Sequence, residues 1–297
     1  MLAVVLVLLS AAFGALALGL LRKATQGEAA AFSVASLWSL VRHRPVWAAG
    51  IAAMVVEFGL QVLALACGPI AAVQLLVVME LPFCLVLSRL VLGGRLAARE
   101  WSAITAMTCG VFVLLVSLSP HGGRSGSLAP ITWLFALVVT VGAIGAILVA
   151  GRWTGPVART ALAGIAAGTT AGLVAVLIKP VTAGAARGPG AVLTMWQTWA
   201  ALVVAAAAFL LLQNAVRAGR LVASQPGITL ANPLLAAGWG VVVFHEQVRT
   251  GWWLVGAGLG AVLLVGGAVL LSGSPLLAGR REAPEPPAGT PVLVAAH

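Results

Sequence analysis

Two carboxylates and a small set of amides stand inside segments that are otherwise too apolar for water. Glu57 lies eleven residues before Gly68 and Glu80 twelve residues after it, so the pair flanks the turn Gly68-Pro69. With a helical rise of about 1.5 Å per residue, both carboxyls fall roughly 16–18 Å from that turn, near the middle of a ~30 Å hydrocarbon layer. An ionisable side chain at that depth costs on the order of 2.5–3.5 kcal/mol on insertion scales, so it faces protein or a cavity. There it carries a proton, attracts a cation, or stays protonated and hydrogen-bonded between helices. Gln61 follows Glu57 at i+4 on the same helix face, and Gln74 lies six residues beyond Gly68. A second hairpin around Gly219 repeats this amide rung with Gln213 and Gln225, and Thr229 and Asn232 continue from Gln225 at i+4 and i+7. Amides so placed either bind a solute or hydrogen-bond one helix to another. The candidate binding residues are therefore Glu57, Gln61, Gln74, Glu80, Gln225, Thr229 and Asn232.

The elements that must position these groups are membrane helices. Of 297 residues, 61% are hydrophobic and 8% charged, far below the polar share a soluble domain needs. The fold class expected is all-α, a polytopic bundle. Nine apolar runs are long enough to span, at roughly 2–21, 46–66, 69–92, 101–118, 131–150, 160–182, 192–213, 221–244 and 252–272. Phe32 to Val46 reads as an amphipathic segment along the cytoplasmic interface, and residues 2–21 as a retained helix with no basic region before it. With the N-terminus outside, thirteen of the 17 Lys and Arg residues fall on the inner side and only Arg124, Lys179, Arg187 and Arg249 on the outer. An even number of spans would destroy that bias. The net charge of +10 thus reads as topology-setting loops, with no nucleic-acid partner.

The chain also repeats itself. Gln74 and Gln225, Pro82 and Pro233, and Trp101 and Trp252 are each separated by 151 positions, and Gly68–Leu115 can be laid over Gly219–Gly266. Five spans separate equivalent positions, so the two copies are expected to enter the membrane from opposite sides as an inverted repeat. Residues 1–118 form the first repeat, 119–159 a linker with the fifth helix, 160–272 the second repeat and 273–297 a disordered cytoplasmic tail. Pro226-Gly227 and Pro233 are expected to interrupt the eighth helix, freeing carbonyls toward a cavity.

Other features read as structural. Cys67, Cys84 and Cys109 lack metal or disulfide spacing. Gly164-x3-Gly168-x3-Gly172 and Gly256-x3-Gly260 are small-residue packing faces. His245-Glu246 lacks the second His of a zinc-protease motif, because Arg249 holds that position. Lys179 is expected to snorkel from an outer helix end, and Trp47, Trp101, Trp133, Trp252 and Trp253 to anchor span ends at the interface. No nucleophile–base or ligand cluster of the enzymatic kind is present, so no enzyme and no cofactor are expected.

The midway proline, turn and Gly-rich helix of each copy resemble the repeat unit of the drug/metabolite transporter (EamA-like) superfamily. Asn232-Pro233, Phe244-His245-Glu246-Gln247-Val248 and Gly256–Gly267 carry the likeness in the second copy. In the first, Pro82 fits and Gly93-Gly94-Arg95 replaces the acidic turn. Trp47, Gly50, Glu57 and Gly68-Pro69-Ile70 resemble the second helix of the NIPA-type magnesium-transporter-like branch. Two departures stand against this. Only Arg22-Lys23 remains of a Lys-rich exit after the first helix, and Gln74 replaces a proline. The resemblance implies a plasma-membrane secondary transporter with an outside N-terminus and a cytoplasmic C-terminus. It makes Glu57 the residue that would meet a cation. The expected partners are the lipid bilayer and a small solute or cation, with a homodimer left open. Three functions follow: transport of a divalent cation such as Mg²⁺ or of a small solute, proton-coupled export of a metabolite or drug, and a non-transporting subunit that assembles a partner complex.

Overall fold

A computed structural model of the chain describes residues 1–25, 45–92, 97–123, 128–217 and 221–272. The amphipathic segment expected before Val46, for the most part, and the expected tail after Ser272 lie outside the described residues. The described chain is a helical bundle: α1 (Leu2–Thr25), α2 (Pro45–Cys67), α3 (Ile70–Val77), α4 (Glu80–Leu92), α5 (Ala98–Leu118), α6 (Pro130–Ala150), α7 (Pro156–Ala185), α8 (Pro189–Thr194), α9 (Trp196–Arg217), α10 (Leu221–Val242) and α11 (Trp253–Ser272). Seven of these runs are long and apolar enough to cross a membrane, with α3 and α4 counted as one. The described apolar parts of α9 and α10, Trp196–Leu212 and Gly227–Val242, are shorter. The protein is thus a membrane-embedded all-α bundle. Its many exposed Leu, Val, Phe and Trp side chains are the face that lipid covers.

The third apolar run is not one helix. Pro82 has no N–H to offer Val78, and its ring displaces the carbonyl four residues back. The chain answers with a turn at Val78 and Met79, where Met79 N bonds Leu76 O at 3.0 Å and Leu81 N bonds Val78 O at 3.2 Å. Helix α3 is left as an eight-residue rod, six residues of which are buried. The expected interruption of the eighth helix does not occur: α10 runs from Leu221 to Val242 through Pro226-Gly227 and Pro233. Each proline deletes one rung of the ladder, and close packing on α7 holds the remaining turns in place. A Cβ on Gly168 would stand 2.5 Å from the Ile228 carbonyl oxygen, and one on Gly172 would stand 2.6 Å from that of Asn232. Those two glycines do pack helix on helix, as their spacing implies.

Helix α7 packs against α9 and α10, α1 against α2, α3 and α4, and α5 against α11, while α3 meets α10 across the bundle. At one end, a two-residue antiparallel ribbon pairs β1 (His121–Gly122) with β2 (Glu246–Gln247), in register His121 with Gln247 and Gly122 with Glu246. Trp133 lies near the start of α6, as expected of a span-end residue, but is covered by protein. It is buried, edge-on to Trp196 at 5.4 Å and tilted against Trp239 at 5.6 Å, and Trp239 Nε1 donates to Thr140 Oγ1 at 3.0 Å. Three indoles gain more from one another and from that hydroxyl than from the headgroup layer. Trp47 is also buried, whereas Trp101, Trp252 and Trp253 are exposed.

Candidate functional site

Three of the amide positions converge. A cavity of about 240 Å³ lies between α2, α3, α7, α9 and α10, with Gln61, Gln74 and Asn232 as its polar lining and Phe58, Leu65 and Ile178 among its apolar walls. Gln74 is fully buried on the short α3. Neither Gln74 Nε2, nor Gln74 Oε1, nor Asn232 Oδ1 has a hydrogen-bond partner. A buried amide left unpaired costs about 1–3 kcal/mol, and the three orphaned atoms belong to two residues that line this one cavity. Gln74 lies on α3 in the first half of the chain and Asn232 on α10 in the second. A larger cavity of about 380 Å³, lined by Trp133, Trp196 and Arg187, lies away from these groups, and no orphaned polar atom faces it among the described residues.

The remaining candidates are placed differently. Thr229 is half-buried one turn before Asn232 and is not part of the cavity lining. The side chain of Gln225, like that of Gln213, lies outside the described residues. Glu57 and Glu80 do not line the cavity either. The Glu57 carboxyl presses against α1, where a Cβ on Gly14 would stand 2.7 Å from Glu57 Oε1, and Ser10 Oγ donates to the Glu57 carbonyl at 3.0 Å. Glu80 heads α4 just after the break, and α4, like the Glu57 helix α2, packs on α1. Among the described residues no group of three or more His, Cys, Asp or Glu could hold a metal ion. The site therefore has two parts: an uncharged amide cavity and, toward α1, a carboxyl pair.

A third feature escapes sequence reasoning. Lys179 does not snorkel to an interface. It is 6% exposed and donates from Nζ to the Leu65 carbonyl at 2.5 Å and also to the Gly68 carbonyl. These are C-terminal carbonyls of α2, which lack partners within their helix and attract a cation. On the other side of the same turn, Glu246 accepts from Ile70 N at 2.5 Å and Ala71 N at 3.0 Å, the orphan donors at the start of α3. One buried charge thus caps each helix end across Gly68-Pro69. Burial pushes the Glu246 carboxyl above the ordinary carboxylate range, while the two backbone bonds and the Lys179 ammonium pull it back. His245 at φ +54° turns the chain so that Glu246 faces inward, and Gly240 leaves room for it, since a Cβ there would lie 2.6 Å from Glu246 Oε2. The clamp adjoins the cavity: Leu65 and Ile178 line it, while the Leu65 carbonyl and the neighbouring Lys179 belong to the clamp. The sequence signal was the paired Gly68-Pro69 turn and Phe244-His245-Glu246, two short motifs whose contact spans 176 positions.

The chain matches no family model and no solved structure. It is 26% identical over 231 residues to an uncharacterized protein of Corynebacterium glutamicum, covering 77% of this chain and 79% of that one.

Proposed function

We propose that the protein is a secondary transporter of the drug/metabolite transporter type, working by alternating access between two inverted four-helix halves that a fifth helix separates. The observation that carries this reading is the convergence of two residues with unpartnered amide atoms, Gln74 and Asn232, from the two halves of the chain on one cavity that opens at the bundle surface beside Phe58 and Ala205. A site shared between two similar halves is what rocking about a central axis would open to each side in turn. The packing pattern supports it. Helix α1 meets α2, α3 and α4 as α7 meets α9 and α10, and the cross-contacts pair α3 with α10 and α5 with α11. Nine crossings, a plasma-membrane location and an external N-terminus belong to the same reading.

The substrate is a small solute held by Gln61, Gln74 and Asn232, and Glu57 with Glu80 is the coupling site. Glu57 and Glu80 stand on α2 and α4, which both pack on α1, and a carboxyl in a membrane span can carry a proton or attract a cation. Coupling to protons is therefore favoured over direct passage of Mg²⁺ through the amide cavity, which offers no carboxylate. Purified protein in proteoliposomes tests this with dye-reported Mg²⁺ and a panel of radiolabelled small solutes, each with and without a proton gradient. Saturable solute flux that the gradient drives, and that Glu57→Gln uncouples, is the expected result. Gradient-independent Mg²⁺ uptake would replace the coupling assignment with a divalent-cation carrier. Absence of any flux from folded protein, with Gly168→Leu more harmful in cells than Glu57→Gln, would leave the non-transporting subunit standing.

A further inference from the structure

We infer that the amide cavity is a binding site for an uncharged solute whose head carries a donor and an acceptor side by side, as a carboxamide or urea does, on a short apolar body. The inference rests on the transport reading for its role, but not for the binding itself. Gln74 presents both an unpartnered N–H₂ and an unpartnered carbonyl, so the complementary group must accept at one atom and donate at the next. Asn232 Oδ1 adds a second acceptor that requires a further N–H or O–H from the same ligand. A carboxylate would satisfy the Gln74 N–H₂ and leave both carbonyl oxygens facing negative charge. An ammonium would satisfy the oxygens and confront the N–H₂.

Charge is excluded on a second ground. Among the described residues no ionised side chain lines this cavity, and the carboxyl pair and the Lys179–Glu246 clamp both lie outside its lining. An ion transferred there would lose its hydration with no counter-charge in contact, a far larger penalty than burying an amide that finds amide partners. The apolar walls, among them Phe58, Leu65 and Ile178, supply the favourable burial for a hydrocarbon body. Size sets the scale. At about 240 Å³ the space lies below the range of drug-sized pockets and holds the equivalent of roughly eight waters.

The test uses three probes of one shape: hexanamide, hexanoate and hexylammonium, with Mg²⁺ as a fourth. Binding to the purified full-length chain in nanodiscs is followed by ligand-observed NMR titration at neutral pH. The expected result is saturable hexanamide binding at least tenfold tighter than that of either ion. Gln74→Leu and Asn232→Leu should each weaken it at least tenfold while leaving the thermal melt cooperative. If one variant fails to fold, the other carries the test. The inference is overturned if hexanoate, hexylammonium or Mg²⁺ binds as tightly in a Gln74-dependent manner. Hexanamide binding indifferent to both substitutions, or no saturable binding at all, also overturns it, the latter marking a cavity that holds only water. Binding in nanodiscs without flux in proteoliposomes would remove the transporter and leave the site. Flux of a charged solute that depends on Gln74 would do the reverse.

Discussion

Gln74 is buried with both ends of its amide unpaired, so removing that amide should stabilise the empty protein. Leucine of similar volume relieves two orphaned atoms, and Gln74→Leu should gain about 1–2 kcal/mol, read as a higher melting temperature in detergent, while abolishing transport. An amide that tied helices together would give the opposite sign, so a lower melt would remove Gln74 from the site. Lys179 and Glu246 behave otherwise, because each satisfies helix-end groups that have no other partner. Lys179→Met should cost on the order of 3–5 kcal/mol, since it strands buried carbonyls and leaves Glu246 without its nearby cation. Glu246→Gln keeps one acceptor and should cost less. The double variant should lose clearly less than the two singles combined, and simple additivity would show that the residues do not act as one clamp. Residue by residue, the sequence exposed the amides because Gln61, Gln74 and Asn232 interrupt apolar runs at helical spacing. It hid the clamp because Lys179 and Glu246 each stand at the end of an apolar run, where a snorkelling or solvated charge looks the same.

Helices were legible wherever hydropathy alone decides them, and less so where a proline competes with packing. Pro82 breaks its run at Val78-Met79, where the chain turns between the enclosed α3 and α4. Pro233 leaves α10 continuous because α7 approaches it at backbone distance. Nothing local separates the two prolines, so the difference is tertiary. The closeness of α7 and α10 can be tested by volume. Gly168→Ala places a methyl 2.5 Å from the Ile228 carbonyl oxygen and must push the helices apart, whereas a Cβ on Gly142 of α6 meets nothing within 4 Å. Gly168→Ala should lower stability by about 1–3 kcal/mol, whereas Gly142→Ala should leave it unchanged or raise it by up to about 1, both read from unfolding in detergent. Comparable losses at the two positions would mean that α7 and α10 are not in backbone contact in the bilayer.

The bundle as a whole brings a defined set of segments to one end. The Gly68 turn lies against Ala3 at the start of the chain, Arg249 N bonds the Leu118 carbonyl, and the β1–β2 ribbon joins the same loops. Helix α11 begins there at Trp253 and runs away from it toward Ser272. The first residue of α1 and the last of α11 therefore stand at opposite ends of the bundle, which fits the proposed odd number of crossings. The charge distribution supports the proposed sides. Lys179 is buried in the clamp, so of the four basic residues expected outside it no longer counts as surface charge, and Arg249 lies 4.8 Å over the Trp253 ring as an interfacial pair would. Under the proposed orientation that leaves three outer cations against thirteen inner ones. Reporter fusions active on only one side of the membrane, placed at each terminus and at the His121–Gly122 ribbon, test the assignment. The N-terminal and ribbon fusions should report outside, and the C-terminal fusion inside. If both termini report from one compartment, the number of crossings is even. The nine-span count would then fall, and the two repeats would keep opposite orientations only if an odd number of spans still separated Gln74 from its counterpart Gln225.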